Sequence, residues 1–285
     1  MISQSIIKTE NLTRTFNGLI AVDQLSFEVA EGEIFGFLGP NGAGKTTTVR
    51  MLTGQILPSS GRACVAGFDI VTQRKALKPA VGVVFEHQNL YERLTARENL
   101  IFVAQLYDIA KPRVEEVLRL VHLTDRAGDR VQDFSNGMRQ RLMIARALLH
   151  QPKVLFLDEP TKGLDPGIGR QIRTLIQELS EQGMTIFLTT HYMEEADQLC
   201  RRVAILNQGS ITTLDTPERL KLRYGERQVK IALKNGEKIQ LALDDQGDMQ
   251  RLSELTRSDE ILSLHTAEAT LEEVFISLTG RRLLE

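Results

Sequence analysis

EIFGFLGPNGAGKTTTVRMLTG, residues 33 to 54, decides the fold. Its first third is apolar and reads as a buried strand. Its last third, GKTTTVRMLTG, reads as a helix closed by Gly54. Between them, GPNGAGKTT matches G-x-x-x-x-G-K-[ST] in the strand-then-helix setting that the motif requires. The residues are Gly39, Pro40, Asn41, Gly42, Ala43, Gly44, Lys45, Thr46 and Thr47. Glycines let main-chain N–H groups curl around a phosphate without Cβ clashes. A helix starting near Gly44 points its positive end into that nest. Lys45 adds a point charge for the β- and γ-phosphates, and the Thr46 hydroxyl is a Mg²⁺ ligand. A Gly-rich turn without a ligand is the bland alternative, and the flanking strand and helix weigh against it. The stretch predicts a nucleotide site.

Outward from this stretch, apolar segments alternate with helical ones. VGVVF (81–85), VLFLDEP (154–160), TIFLTTH (185–191) and RVAIL (202–206) have the length of buried strands. Helical spacing runs through IRTLIQELSEQG and YMEEADQLC, and through RENLIFVAQLYD, PRVEEVLRLVHL and NGMRQRLMIARALLH between about residues 90 and 150. SIIKT, LSFEV and RACVAG read as shorter strands near the start. The pattern predicts an α/β fold: a P-loop NTPase core of mostly parallel sheet covered by helices, with an N-terminal antiparallel β subdomain and a helical insertion. Near residue 225 the texture changes. QVKIAL and KIQLAL read as a hairpin about KNGE, followed by a helix, a strand EILSLH and a last helix TLEEVFISLTG. A main domain over 1–225 and a small α+β appendage over 226–285 are expected.

Bulk properties narrow the classes. The chain has 285 residues, 42% hydrophobic and 25% charged, the balance of an ordinary globular protein. Lys and Arg total 35 against 37 Asp and Glu, so no basic excess points to nucleic acid. Cys64 and Cys200 have no metal-ligand spacing and suit a reducing cytoplasm. No apolar run approaches the roughly 20 residues that cross a bilayer, and the start has no signal-peptide pattern. A cytoplasmic protein is expected, peripheral to a membrane only through a partner.

Two further strand ends and one helix start carry chemistry. VLFLDEP finishes in Asp158 and Glu159. Taken alone, an Asp-Glu-Pro turn is a strand cap. Beside a phosphate loop, Asp158 can hold Mg²⁺ and Glu159 can take a proton from an attacking water. His191 follows the next buried strand, at the sheet edge where open α/β sheets bind ligands, and can orient that water. FSNGMRQRLMIARALL opens with Ser135 as a helix N-cap, making a second anion-binding helix start. One phosphate loop already serves one nucleotide, so a second anion site suggests ATP shared between two copies.

Over about the first 215 residues the chain resembles the ATP-binding subunit of ABC transporters. The resemblance implies two subunits docked head to tail, with ATP between one phosphate loop and the other subunit's signature. The family's Leu-Ser-Gly-Gly-Gln signature corresponds to Phe134, Ser135, Asn136, Gly137 and Met138, matching at Ser135 and Gly137. Its Gly-Leu-Asp between the two sites matches Gly163, Leu164 and Asp165, and its adenine-stacking aromatic falls on Phe16. A glutamine that contacts Mg²⁺ and water in the family is replaced by Glu86. Gln88 is the alternative if the loop register shifts by two; His87 and Asn89 read as a solvated strand end. The resemblance also implies integral membrane permease subunits docking near residues 86 to 105. The ending TLEEVFISLTGRRL resembles bacterial drug-resistance and polysaccharide/lipid export ATPases. ATP and Mg²⁺ are the implied cofactors, and no nucleic-acid partner is expected. ABC ATPases acting on DNA or ribosomes are the competing class. The first carry a long coiled-coil split and the second usually two cassettes, whereas here about 90 residues separate Lys45 from Ser135. P-loop kinases and small GTPases have no use for the FSNGM segment.

Overall fold

The computed structural model describes residues 5–86, 90–225, 228–258, 260–267 and 269–280, with the side chains of 228 and 265–267 outside that description. The strands are β1 (Ser5–Phe16), β2 (Leu19–Ala30), β3 (Ile34–Leu38), β4 (Ser60–Val65), β5 (Phe68–Asp69), β6 (Val81–Val84), β7 (Val154–Asp158), β8 (Thr185–Thr190), β9 (Arg202–Asn207) and β10 (Ser210–Asp215). Every residue of β3, β7 and β8 is buried, which explains their unbroken apolar lettering. They lie inside a six-stranded sheet of order β10-β9-β3-β8-β7-β6, in which β9, β3, β8, β7 and β6 pair parallel. Because β8 sits between β3 and β7 and all three run parallel, their tips are brought to one edge.

Helices α1 (Lys45–Leu52), α2 (Arg74–Leu77), α3 (Ala96–Leu106), α4 (Pro112–Leu120), α5 (Asn136–Leu148), α6 (Pro166–Glu181) and α7 (Met193–Leu199) complete this unit. α3, α4 and α5 pack on one another, forming the helical insertion. Thr95 and Glu98 start α3 with reciprocal hydrogen bonds of 3.1 and 2.8 Å, a capping box.

A four-stranded sheet of order β2-β1-β4-β5 is antiparallel throughout. β1 and β2 are twelve residues each, longer than the short strands read from the sequence. Asn11 and Gln24 take left-handed backbone (φ 47° and 46°), and the β1–β2 register slips between Thr9 and Leu12. Such irregularities break the apolar–polar alternation by which a strand is recognised. An aromatic cluster joins this sheet to the central one: Phe27 lies 5.6, 5.5 and 6.1 Å from Phe35, Phe37 and Phe187.

The chain forms two compact units, Met1–Leu214 and Asp215–Glu285. The second holds α8 (Pro217–Tyr224), β11 (Gln228–Leu233), β12 (Lys238–Ala242), α9 (Gln246–Arg257), β13 (Ile261–Ala267) and α10 (Leu271–Thr279). α8 thus groups with the appendage, ahead of the change in texture near residue 225. β12, β11 and β13 form an antiparallel sheet with Val229, Ile231, Leu233 and Leu241 buried. α8 and α10 pack together, and Leu220 of α8 and Leu271, Val274 and Phe275 of α10 are buried.

Candidate functional site

The loop leaving β3 is shaped by two glycines. Gly44 caps α1 at φ 100°, and a Cβ there would stand 2.5 Å from the Ala21 carbonyl oxygen. At Gly39 a Cβ would come 2.7 Å from the Leu206 carbonyl oxygen. Larger residues would push this loop away from β2 and β9. With the loop held close, Pro40, Asn41, Gly42, Gly44, Lys45, Thr46 and Thr47 line a cavity of about 160 Å³, together with Ala21, Glu86 and Glu159. That is below the roughly 300–1,000 Å³ of a small-molecule pocket. It suits a polyphosphate tail whose remaining parts lie outside.

Lys45 is 6% exposed and donates to the carbonyls of Gly39 (2.7 Å) and Pro40 (3.1 Å). Its Nζ also stands 3.1 Å from Glu159 Oε1, a charge contact lacking hydrogen-bond alignment. Thr46 Oγ1 donates to Asp158 Oδ2 at 2.8 Å, and Thr189 Oγ1 donates to Asp158 Oδ1. Asp158, 2% exposed, therefore has both carboxylate oxygens partnered at the tip of β7. Glu159 has left-handed backbone, φ 54°, uncommon outside glycine and asparagine. Its N–H donates to the Thr189 carbonyl at 3.0 Å. This turn aims the side chain back at the loop. Glu159 Oε2 meets His191 Nδ1 at 2.7 Å. The three strand tips thus deliver Lys45, Asp158, Glu159 and His191 to one connected cluster.

A second layer ties the turn after β7 to α7. Thr161 Oγ1 donates to Glu195 Oε1 at 2.8 Å, and Glu195 is 1% exposed. Burial pushes the Glu195 carboxyl above its ordinary range.

Of the other residues singled out from the sequence, Phe16, Ser135, Asn136, Gly137 and Asp165 stand apart from the cavity lining. Phe16 is 41% exposed, with the Arg14 guanidinium 4.4 Å from its ring centroid. Ser135 caps α5, its Oγ accepting from the Met138 N–H at 3.3 Å, and Ser135 and Asn136 are exposed. Gly137 is buried, and a Cβ there would meet Ile168 Cγ2 at 2.4 Å, so packing within the chain already calls for a small residue. Asp165, exposed, precedes α6. His87, Gln88 and Asn89 lie outside the described residues. Glu86 lines the cavity and pairs with Lys162 at 2.8 Å. Lys162 and Thr189 did not emerge from the sequence. Lys162 stood in plain view three residues after Glu159, but nothing local gives it a partner; Thr189 was read as part of a strand.

A phosphate loop at a strand–helix junction, with two carboxylates and a histidine at neighbouring strand tips, defines a P-loop nucleoside triphosphatase. The ABC transporter family model matches residues 22–162. A fluoroquinolones export ATP-binding protein of Mycobacterium tuberculosis is 40% identical over 267 residues, covering 92% of this chain and 89% of that one. Among solved structures, cbiO1 of Clostridium perfringens, part of the cbiONQ ABC transporter complex, is 28% identical with a TM-score of 0.72, over 78% of this chain and 92% of that one. An ATP-binding cassette solved as a dimer in a post-hydrolysis state with ADP and Pi is 27% identical with a TM-score of 0.66, over 74% and 98%. The chain belongs to the ATP-binding proteins of the ABC transporter family. It is an ATPase of that class. Among the described residues, no helix is long and apolar enough to cross a membrane.

Proposed function

We propose that the chain powers export through separate membrane subunits, working as a head-to-tail pair of copies that enclose two ATP. The observation that carries this is the cluster of Lys45, Asp158, Glu159 and His191 around the phosphate-sized cavity, in a chain that also exposes, away from that cavity, the Ser135-capped start of α5. Support for export comes from the fluoroquinolones export relative, and support for pairing from the dimeric cassette.

In this reading, Lys45 exchanges Glu159 for the β- and γ-phosphates, and the main-chain N–H groups of Gly42 to Thr47 take the remaining oxygens. The exchange leaves Glu159 held by His191 alone. The carboxylate then takes a proton from water as the water oxygen bonds to the γ-phosphorus and the bridging oxygen leaves with ADP. His191, fixed on Glu159, orients that water. Ser135, Asn136, Gly137 and Met138 present the start of α5 to the γ-phosphate bound by the other copy, and Asp165 lies between the two sites. Phe16 offers its exposed ring to adenine.

The donor set fits Mg²⁺. A hydroxyl and a carboxylate, Thr46 and Asp158, are already in contact, with Glu86 on the same cavity. Among the described residues, no group of three or more His, Cys, Asp or Glu could hold a metal. That suits an ion carried largely by phosphates and water. When bound, Mg²⁺ offsets phosphate charge. Gln88 remains the alternative ligand to Glu86.

The membrane subunits dock near residues 86 to 105. In support, Tyr91 and Phe102 are 52% and 40% exposed and meet edge to face at 5.1 Å, an apolar surface of the kind that partners cover. The chain then acts at the cytoplasmic face of the membrane, held there by its partners.

The test is Glu159→Gln. With ATP the variant is expected to accumulate as a dimer in size-exclusion chromatography, while the wild type stays monomeric or exchanges rapidly. Normal turnover with no ATP-dependent dimer removes both the base and the pairing.

A further inference from the structure

Glu86 and Lys162 come together from distant parts of the chain. Glu86 follows β6, and Lys162 lies in the turn after β7, its N–H donating to the Glu159 carbonyl at 3.2 Å. Their side chains meet at 2.8 Å and are 40% and 33% exposed. A pair so exposed contributes little to folding stability. Its effect falls on the neighbouring cavity, which Glu86 lines beside Lys45 and Glu159. Asp158 and Glu159 already bring two carboxylates to this edge, and a polyphosphate adds more negative charge. An uncompensated third carboxylate would repel it. The Lys162 ammonium is held above its ordinary pKa, first by the hydrogen bond to Glu86 and also by the charges of Glu86 and Glu159. A solvated lysine ammonium is charged throughout the neutral range in any case.

We propose that Lys162 is a charge-compensating residue that lets Glu86 stand at the nucleotide site, so that the two act as one neutral unit toward the polyphosphate. The proposal rests on the nucleotide-site reading of the cavity. It assigns no direct phosphate contact to Lys162, and the two possibilities differ in a measurable way. The formal charge of the pair is 0 in the wild type, −1 in Lys162→Met, +1 in Glu86→Gln and 0 in the double variant.

The experiment is ATP affinity of these four proteins by isothermal titration calorimetry, with Mg²⁺ chelated so that hydrolysis and metal ligation stay out of the readout. Lys162→Met is expected to bind about tenfold more weakly than wild type, equivalent to ~1.4 kcal/mol. Glu86→Gln should bind about threefold more tightly, and the double variant should return to within about twofold of wild type. Thermal midpoints of all four should agree, since the pair is exposed. A double variant as weak as Lys162→Met overturns the proposal, because Lys162 would then act on phosphate directly. Lys162→Met binding like wild type overturns it too. Failure of the nucleotide-site reading looks different: wild type and Lys45→Ala would then bind ATP alike.

Discussion

Two lysine–glutamate pairs border the same cavity. Lys45 and Glu159 are 6% and 5% exposed in their side chains; Lys162 and Glu86 are 33% and 40% exposed. On the proposed function the inner pair is a placeholder. Its charges are out of water and each needs a partner at all times; in the proposed mechanism ATP supplies the replacement for Lys45 while His191 keeps Glu159 occupied. The outer pair is solvated on one side and acts mainly through its net charge. On the roles proposed for them, burial rather than residue type separates the group that performs chemistry from the one that adjusts the field around it.

Breaking the inner pair should have the largest consequences. Glu159→Gln keeps size and shape but cannot accept the water proton, so ATP turnover is expected to fall about a thousandfold in a phosphate-release assay. ATP affinity should hold or rise, since a buried negative charge has gone. Lys45→Ala removes the ammonium proposed to meet the phosphates and strands Glu159 beside them. About a hundredfold loss of ATP affinity is expected, ~2.7 kcal/mol, read by calorimetry. Retained affinity there would contradict the phosphate-loop assignment. His191→Ala leaves Lys45 in place and removes the second partner of Glu159. Turnover should drop about 30-fold with ATP affinity within about threefold of wild type, separable as a kcat effect. The smallest effect sharpens the contrast. Raising salt from about 0.1 to 0.5 M shortens the screening length by roughly half, so it should shrink the affinity difference caused by Lys162→Met while leaving that of Lys45→Ala nearly unchanged. Equal salt sensitivity would erase the distinction between the two pairs.

Much of this site was legible because its signals are local. GPNGAGKTT needs its glycines at fixed offsets, and Asp158, Glu159 and His191 each follow a run of apolar residues that ends where the strand leaves the core. The Ser135 N-cap is equally local, one hydroxyl and the N–H three residues on. Less legible were β5, β10 and α8. β10, SITTLD, has no fully buried residue, so its lettering carries no apolar run. α8, PERLKLRY, buries only Pro217 and Leu220, too few to show a helical face. Gly137 had a reading from resemblance alone; only packing revealed Ile168 against it.

Residue order along the chain was enough to specify a P-loop α/β protein, its strand–helix junction and the identities of its lysine, carboxylates and histidine. These depend on backbone geometry and burial over a few neighbouring residues. Which tips would adjoin depended on the sheet order, with β8 between β3 and β7, and no local pattern encodes that. The same holds for the partners inside the site: Thr189 on Asp158, Lys45 on Glu159, and Lys162 on Glu86. Each joins residues far apart in the chain, and it is folding that brings their charges within a few ångströms.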